Sequence, residues 1–274
     1  MRRRLLAACL AATVVAPMLA SAAAPAAAVT PAGRQSRDSG VGIAGGDIYV
    51  WSSHASEESG SGCTVSFAVR SVSTHALGML TAGHCLSTLT GGPAYLVHQT
   101  ERLSGDDTEP GDLLGTVSAS SYTVGESGDS AFVRLAAGIT AQPAVFTGGM
   151  TSRRSIPVVG TATVKAGEHV CYSGAATGEH CGYTVVGWPQ TVAFSSSRAH
   201  AKIAISNEWR ATAATCTSAK GDSGSPVFIR RGGVAYAVGI LSGGQARPGR
   251  CPFYFTPVTL ALHALGVRLV TTTP

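Results

Sequence analysis

A serine stands between glycines, with an aspartate before it, in the stretch SAKGDSGSPVF at residues 218–228. Gly, Asp, Ser and Pro are also the common turn residues, so Ser223 qualifies as a nucleophile only with help from elsewhere in the chain. A serine hydroxyl is a weak nucleophile near neutral pH. It needs a base within hydrogen-bond reach, and the base needs a group that orients it. The chain offers His84 in LTAGHC and Asp129 in GDSAFVRL. Each lies beside a small residue at the edge of an apolar run, where loops on a rigid scaffold carry functional groups. Together, in the order His84, Asp129, Ser223, they could perform acyl transfer. Rival chemistries fit less well. GDSGS is not a G-x-S-x-G elbow, because Ser225 occupies the second glycine position. Lys220 is three positions from Ser223 on a tight loop, poor geometry for its base. A GDS-type esterase would carry that block near its mature N-terminus and its Asp and His near the C-terminus, whereas His263 follows LAL with no Asp nearby.

The elements that would hold these residues are short β-type runs. CTVSFAVR alternates apolar and polar, and LGMLTAGHC, AYLVHQT, SAFVRL, IPVVGTATV, YTVVGW, AHAKIAIS, SPVFIR and VAYAVGIL are separated by Gly, Ser or Asp clusters. No helical heptads and no strand–helix alternation interrupt them. TPVTLALHALG alone reads as a helix, with Thr256 as cap, Pro257 in the first turn and Gly266 as stop. The pattern predicts an all-β protein with a first half at 43–140. A connector opens the second half (141–274), GITAQPAVFTGGMTSRRS spanning the gap before residue 157.

The 274 residues, 45% of them apolar, suffice for a sizeable core. MRRR followed by an Ala-rich apolar stretch and APAAA reads as a signal peptide over 1–28, too short and Pro-interrupted for a membrane anchor. Residues 29–42 read as a short pro-segment or arm. Residues 1–42 carry five arginines and one aspartate, so the formal +5 falls to +1 without them. Neither this balance nor any basic cluster with interleaved aromatics points to nucleic acid. Of seven cysteines, Cys9 lies in the leader, leaving Cys63, Cys85, Cys171, Cys181, Cys216 and Cys251. An even count in an oxidising compartment favours three disulfides. Pairing of neighbours is the simplest of the possible connectivities. His169, Cys171, His180 and Cys181 form a possible metal set, but adjacent residues of a strand point to opposite faces and exported thiols are more often oxidised. No metal or other cofactor is expected.

LTAGHC, GDSA before FVRL, GDSGSP and the later SGG resemble the bacterial chymotrypsin-like serine proteases, the streptogrisin and α-lytic group. IAGGDIYV resembles the mature start of streptogrisins, VCYSGAATGEHCG a cysteine-bracketed loop of the α-lytic branch, and FYFTPVTLALHALGV the group's last strand and helix. The chain order also matches the chymotrypsin-type triad and differs from the subtilisin and α/β-hydrolase orders. The resemblance covers about residues 43–270. It implies two six-stranded Greek-key β-barrels with a short C-terminal helix and a site in the cleft between them. His84 would be general base and then general acid, Asp129 its orienting group, and Ser223 the nucleophile. The amides of Gly221 and Ser223 would form the oxyanion hole. It also implies the neighbour pairing of all three disulfides.

The resemblance places the specificity pocket between Thr217–Lys220 and Leu241–Gly244, with Ser242, Gly243 and Gly244 binding substrate backbone and Phe253 near the floor. With no Asp before the nucleophile and Leu241 in place of the His of Glu-cleaving relatives, an uncharged, apolar P1 preference of modest size is expected. Three departures stand out. Ser225 replaces a glycine and would crowd the nucleophile loop. Tyr172 replaces an Arg that pairs with the Asp before the nucleophile, so Asp222 needs another partner, the Tyr172 hydroxyl or a different cation. Residues 29–42 are short for a folding pro-domain. A secreted, monomeric endopeptidase acting on proteins or peptides is expected, open to proteinaceous inhibitors and without stable membrane association. The alternative is a protease-like binding or adhesion module.

Overall fold

The computed structural model describes residues 43–51 (Asp47 excepted), 61–86, 91–96, 113–122, 128–149, 152, 154–195, 202–244 and 251–273. The signal peptide, the arm at 29–42 and the ends of the runs expected at 94–100 and 199–206 lie outside the described residues.

Seventeen strands and one short helix are present among them. The first sheet holds β2 (Ile48–Trp51), β3 (Ser61–Thr64), β4 (Ala68–Ser71), β5 (Leu77–Thr81), β6 (Pro93–Leu96), β7 (Leu113–Ser120), β8 (Ala131–Leu135) and β17 (Val267–Leu269). Their order is β17-β4-β5-β8-β7-β6-β2-β3. Since β3 runs through buried Val65–Phe67 into β4, those two are one bent strand, and with β17 set aside six strands make a barrel. The second sheet holds β1 (Ile43–Gly45), β9 (Ala141–Thr147), β10 (Arg154–Thr161), β11 (His169–Gly174), β12 (Gly178–Ser195), β13 (Lys202–Ala213), β14 (Pro226–Arg231), β15 (Val234–Gly244) and β16 (Cys251–Pro257). Here β15-β14-β11-β12-β13-β16 closes on itself through β15–β16 pairing, a second six-stranded barrel. Closure pairs the edges of each six-stranded barrel with one another. The first and last described strands cross over: β1 pairs with β9, and β17 pairs with β4.

The sequence explains the local geometry. β14 and β15 meet in register at Arg231 and Val234 across Gly232-Gly233, both at positive φ, the two-residue hairpin turn that matches strand twist. Among the described residues, three large apolar clusters fill the two barrels and the space between them. Val65, Met79, Leu114 and Val133 fill the first barrel, and Tyr172, Tyr183, Val227, Phe253 and Phe255 the second. Between them, Phe67, Leu80 and Phe132 from the first sheet pack with Val145, Phe228 and Ile240 from the second. Burying each such side chain stabilises the fold by roughly 1.5–3 kcal/mol, and the middle cluster sets one barrel against the other.

Two expectations need correction. The stretch read as a connector contains β9, with Val145 and Phe146 buried. Pro143 hides its alternation, yet it precedes the antiparallel ladder that starts at Ala144 and falls where the β1 register shifts, so no ladder N–H is lost. Thr256 does not cap the helix. α1 (Val258–Ala264) begins after Pro257 without a side-chain cap, because the Thr256 hydroxyl is engaged in the core, as described below.

Candidate active site

His84 lies in a 3₁₀ turn, Gly83–Cys85, directly after β5. Its Nδ1 is 2.6 Å from Asp129 Oδ2, and its backbone N–H donates to Asp129 Oδ1 at 2.7 Å. One carboxylate therefore fixes both the ring and the chain that carries it. Asp129 is fully buried just before β8. β5 and β8 are hydrogen-bonded neighbours that pair Thr81 with Ala131, so the two residues come together through sheet register. Burial opposes charge on His84, but the Asp129 charge and hydrogen bond outweigh it and raise the imidazole above its ordinary value. Tyr122 packs edge-on against the ring at 6.1 Å. Burial first, and the Asp129 charge second, push its phenol up to about 12.

Ser223 comes from the other barrel, in the turn before β14. Its loop is bonded to the first barrel by Thr64, whose N–H donates to Ser223 O (2.7 Å) and whose hydroxyl donates to Gly221 O (2.7 Å). Thr64 follows Cys63, which is bridged to Cys85, the residue after His84. Gly224 is required by this approach: a Cβ there would stand 2.1 Å from Thr64 O and 2.4 Å from Thr81 Oγ1. The nucleophile candidate is thus seated on the segment that leads into His84. Ser223 Oγ makes a long 3.5 Å contact to Ser242 O and no hydrogen bond to His84. Such bonds often form only with substrate in place.

Within the loop, Asp222 N–H donates to Ala219 O, Gly224 N–H to Leu241 O and Ser225 N–H to Asp222 O. Among the described residues, the amides of Gly221, at φ +96°, and of Ser223 have no acceptor. Ser225 does not crowd the turn. Its buried hydroxyl donates to Asp222 O at 2.5 Å, so the extra atoms tighten the loop.

Asp222 is buried, and no cation meets it among the described residues. Its partners are the Ala176 and Thr177 amides (both 3.2 Å), the Thr177 hydroxyl (2.8 Å) and the Ala219 amide (2.9 Å). Gly174 lets the chain come this close, since a Cβ there would meet Asp222 Oδ1 at 2.0 Å. The expected direct bond from Tyr172 is absent, because the Tyr172 hydroxyl is one step away, on Thr177 (3.3 Å) and Thr217 (2.9 Å). Burial pushes the Asp222 carboxyl up, and these donors pull it back only in part. Thr177→Val keeps the shape and removes one charge-assisted bond, so it should cost about 1.5–3 kcal/mol. Thermal unfolding checks this; an unchanged Tm would mean the backbone amides suffice.

The residues expected at the pocket also gather. Leu241 and Phe253 are buried, and Thr217 accepts or donates bonds with both Tyr172 and Tyr183 (2.6 Å). Tyr172, Tyr183 and Phe253 stack edge to face with centroids 4.8–5.7 Å apart. Gly243 and Gly244 pair with Tyr254 and Phe253, and Ser242 lies at the bulge before them. A Cβ at Gly244 would stand 2.5 Å from Ser218 Oγ, so the two expected walls face each other. The sequence reading missed Tyr183, Thr177 and Glu208. Glu208 alone had a visible signal, a lone acid in a strand run.

Disulfides join Cys63–Cys85, Cys171–Cys181 and Cys216–Cys251, which removes Cys171 and Cys181 from any metal set. His180 bonds Thr177 O instead. No helix among the described residues is long and apolar enough to cross a membrane.

This arrangement has known counterparts. The trypsin family matches residues 50–265. Streptogrisin-C of Streptomyces griseus is 31% identical over 236 residues, 84% of this chain; the chain spans 41% of that protein's length. Among solved structures, Thermobifida fusca protease A is similar with a TM-score of 0.60 at 27% identity, covering 85% of this chain and all of the other. Nocardiopsis protease has a TM-score of 0.60 at 26% identity, covering 84% of this chain and all of that one. Two β-barrels of this kind define the chymotrypsin-like proteases. The chain belongs to the trypsin family of serine endopeptidases.

Proposed function

We propose that this chain is a secreted endopeptidase in which Ser223 is the nucleophile, His84 the general base and acid, and Asp129 the group that orients His84. The observation that carries this reading is the buried Asp129 carboxylate bonded to His84 at both ring and backbone, beside a loop with two open amides. As Ser223 Oγ bonds to the scissile carbonyl carbon, its proton passes to His84 Nε2. The carbonyl electron pair moves onto oxygen, facing the Gly221 and Ser223 amides. The imidazolium then gives the proton to the leaving amine, and water repeats the sequence to release the acid product. The barrels divide near residue 140, one supplying His84 and Asp129, the other Ser223.

P1 preference follows from the walls. Thr217, Leu241 and Phe253 bring no charge, and the Thr217 hydroxyl is already bonded to two tyrosines. Phe253 and Tyr172 occupy volume beneath it. The enzyme should cleave after uncharged, apolar residues of modest size, with Ser242–Gly244 pairing to the substrate backbone as an added strand. A peptide-library digest checks this; a profile dominated by Arg, Lys or Glu at P1 would overturn it. Export through residues 1–28 agrees with the three disulfides. The partners of this reading are protein and peptide substrates and proteinaceous inhibitors that imitate them, with the enzyme acting as a monomer. Casein hydrolysis by the folded chain tests the activity itself.

A further inference from the structure

A buried acid lies behind the His84–Asp129 pair. Glu208 on β13 and Thr256 on β16 are both fully buried. Thr256 Oγ1 accepts the Asp129 N–H at 2.6 Å and donates its own proton to Glu208 Oε1 at 2.5 Å. This explains why Thr256 is not a helix cap. The second carboxyl oxygen, Oε2, has no hydrogen-bond partner, and neither does the buried Ser242 hydroxyl that stands beside it. Ser242 in turn offers its carbonyl to Ser223 Oγ. Glu208 therefore sits where strands β13, β15 and β16 meet, touching the support of Asp129 on one side and of Ser223 on the other.

Charge decides the state of this group. The groups facing it are the Thr256 hydroxyl from β16, the Ser242 hydroxyl from β15 and the Asp129 carboxylate from the segment before β8. Arg210, two residues along β13, makes no ion pair with it among the described residues. An ionised carboxylate without a cation is costly in such a place, and a second negative charge next to Asp129 more so. As a neutral acid, Oε2–H can donate to Ser242 Oγ, so one proton satisfies both orphaned atoms.

We propose that Glu208 is a positioning residue of this site, one that holds Thr256 under the Asp129 amide and Ser242 against Ser223 while protonated, and that loss of its proton disables the site. The proposal rests on the endopeptidase reading above. Burial, with the Asp129 charge second, raises the Glu208 carboxyl to about 8. Its ionisation removes the only proton that can join Oε2 to the Ser242 hydroxyl and sets a second negative charge behind Asp129, so both supports shift and activity falls on the alkaline side.

The test is kcat/KM on a chromogenic peptide from pH 5 to 10 for wild type, Glu208→Leu and Glu208→Gln. Wild type should lose activity above about pH 8, roughly tenfold per pH unit. Glu208→Leu should lose about 10–100-fold at pH 7, the range for a misplaced supporting group. Glu208→Gln, which keeps an acceptor for Thr256 and a donor for Ser242, should rescue most of that and remove the alkaline limb. The same alkaline limb in wild type and Glu208→Gln overturns the proposal, as does a Glu208→Leu enzyme with full activity. Wild type inactive at every pH would instead count against the endopeptidase reading. Two measurements stand apart from activity. Infrared difference spectra of wild type minus Glu208→Gln should show a protonated carboxyl band at pH 6 that is gone at pH 9. Because the folded value is raised, the stability that Glu208 contributes is complete below the unfolded carboxyl value and lost as pH rises to about 8. Wild-type Tm should thus fall relative to Glu208→Gln between about pH 4.5 and 8 and then run parallel. A pH-independent difference, or no carboxyl band, means that Glu208 is not held neutral.

Discussion

Ser223→Ala should abolish peptide hydrolysis, with kcat falling about 10⁶-fold, the size of the loss when a triad serine is removed from subtilisin. The change should leave the fold intact. Ser223 Oγ makes only the long contact to Ser242 O, and its loop is held by backbone groups and by Thr64, Ser225 and Asp222. Substrate affinity should change little, since the pocket walls are untouched. Active-site-independent folding readouts, such as Tm and near-UV circular dichroism, should coincide with wild type while hydrolysis vanishes. Residual activity within a factor of 100 would assign the chemistry to another nucleophile.

Asp129→Asn should lower kcat by about 10⁴-fold, the loss that the equivalent substitution causes in trypsin. The geometry gives the reason. Asp129 uses one oxygen for the His84 backbone N–H and the other for Nδ1. An asparagine can keep the backbone bond only by turning its NH₂ towards Nδ1. The imidazole must then accept there and carry its proton on Nε2, the atom that should receive the Ser223 proton. Removal of the charge also withdraws what raises His84 above the ordinary imidazole value. In wild type the active, neutral imidazole appears as pH rises through that raised value, so the acid limb lies above pH 6.5. In the variant the limb should move to lower pH. A kcat/KM profile reads both effects; a limb that stays in place would separate Asp129 from the base.

Much of this was legible in the residues. Short apolar runs bounded by Gly, Ser and Asp marked β5, β8, β14 and β15, because alternation and turn chemistry are local properties. His84, Asp129 and Ser223 sit in brief motifs whose chain order carries information of its own. The two barrels and the disulfide pairing came from resemblance. Other features depend on contacts distant in sequence, which no local pattern records. β9 was hidden by Pro143, whose missing N–H matters only once the register with β1 and β10 is known. Thr256 looked like a cap because Pro257 follows it, but it lies beside Asp129, 127 residues earlier. The Asp222 site was misread for a similar reason. A carboxylate there need not meet a cation, since a turn at Ala176–Thr177 delivers two amides and a hydroxyl to it. Glu208 drew no reading at all, because its role appears only once β16 brings the Thr256 hydroxyl to it.

The most direct test of the central claim is covalent. The folded wild-type chain is treated with a fluorophosphonate, digested, and mapped by mass spectrometry, alongside Ser223→Ala and His84→Ala. A serine activated by His84 and facing two open amides should take one phosphonyl group, on the peptide that contains GDSGSP, and both variants should stay unlabelled. A folded wild type that takes no label, or takes it on another residue, would contradict the assignment of Ser223 as the nucleophile.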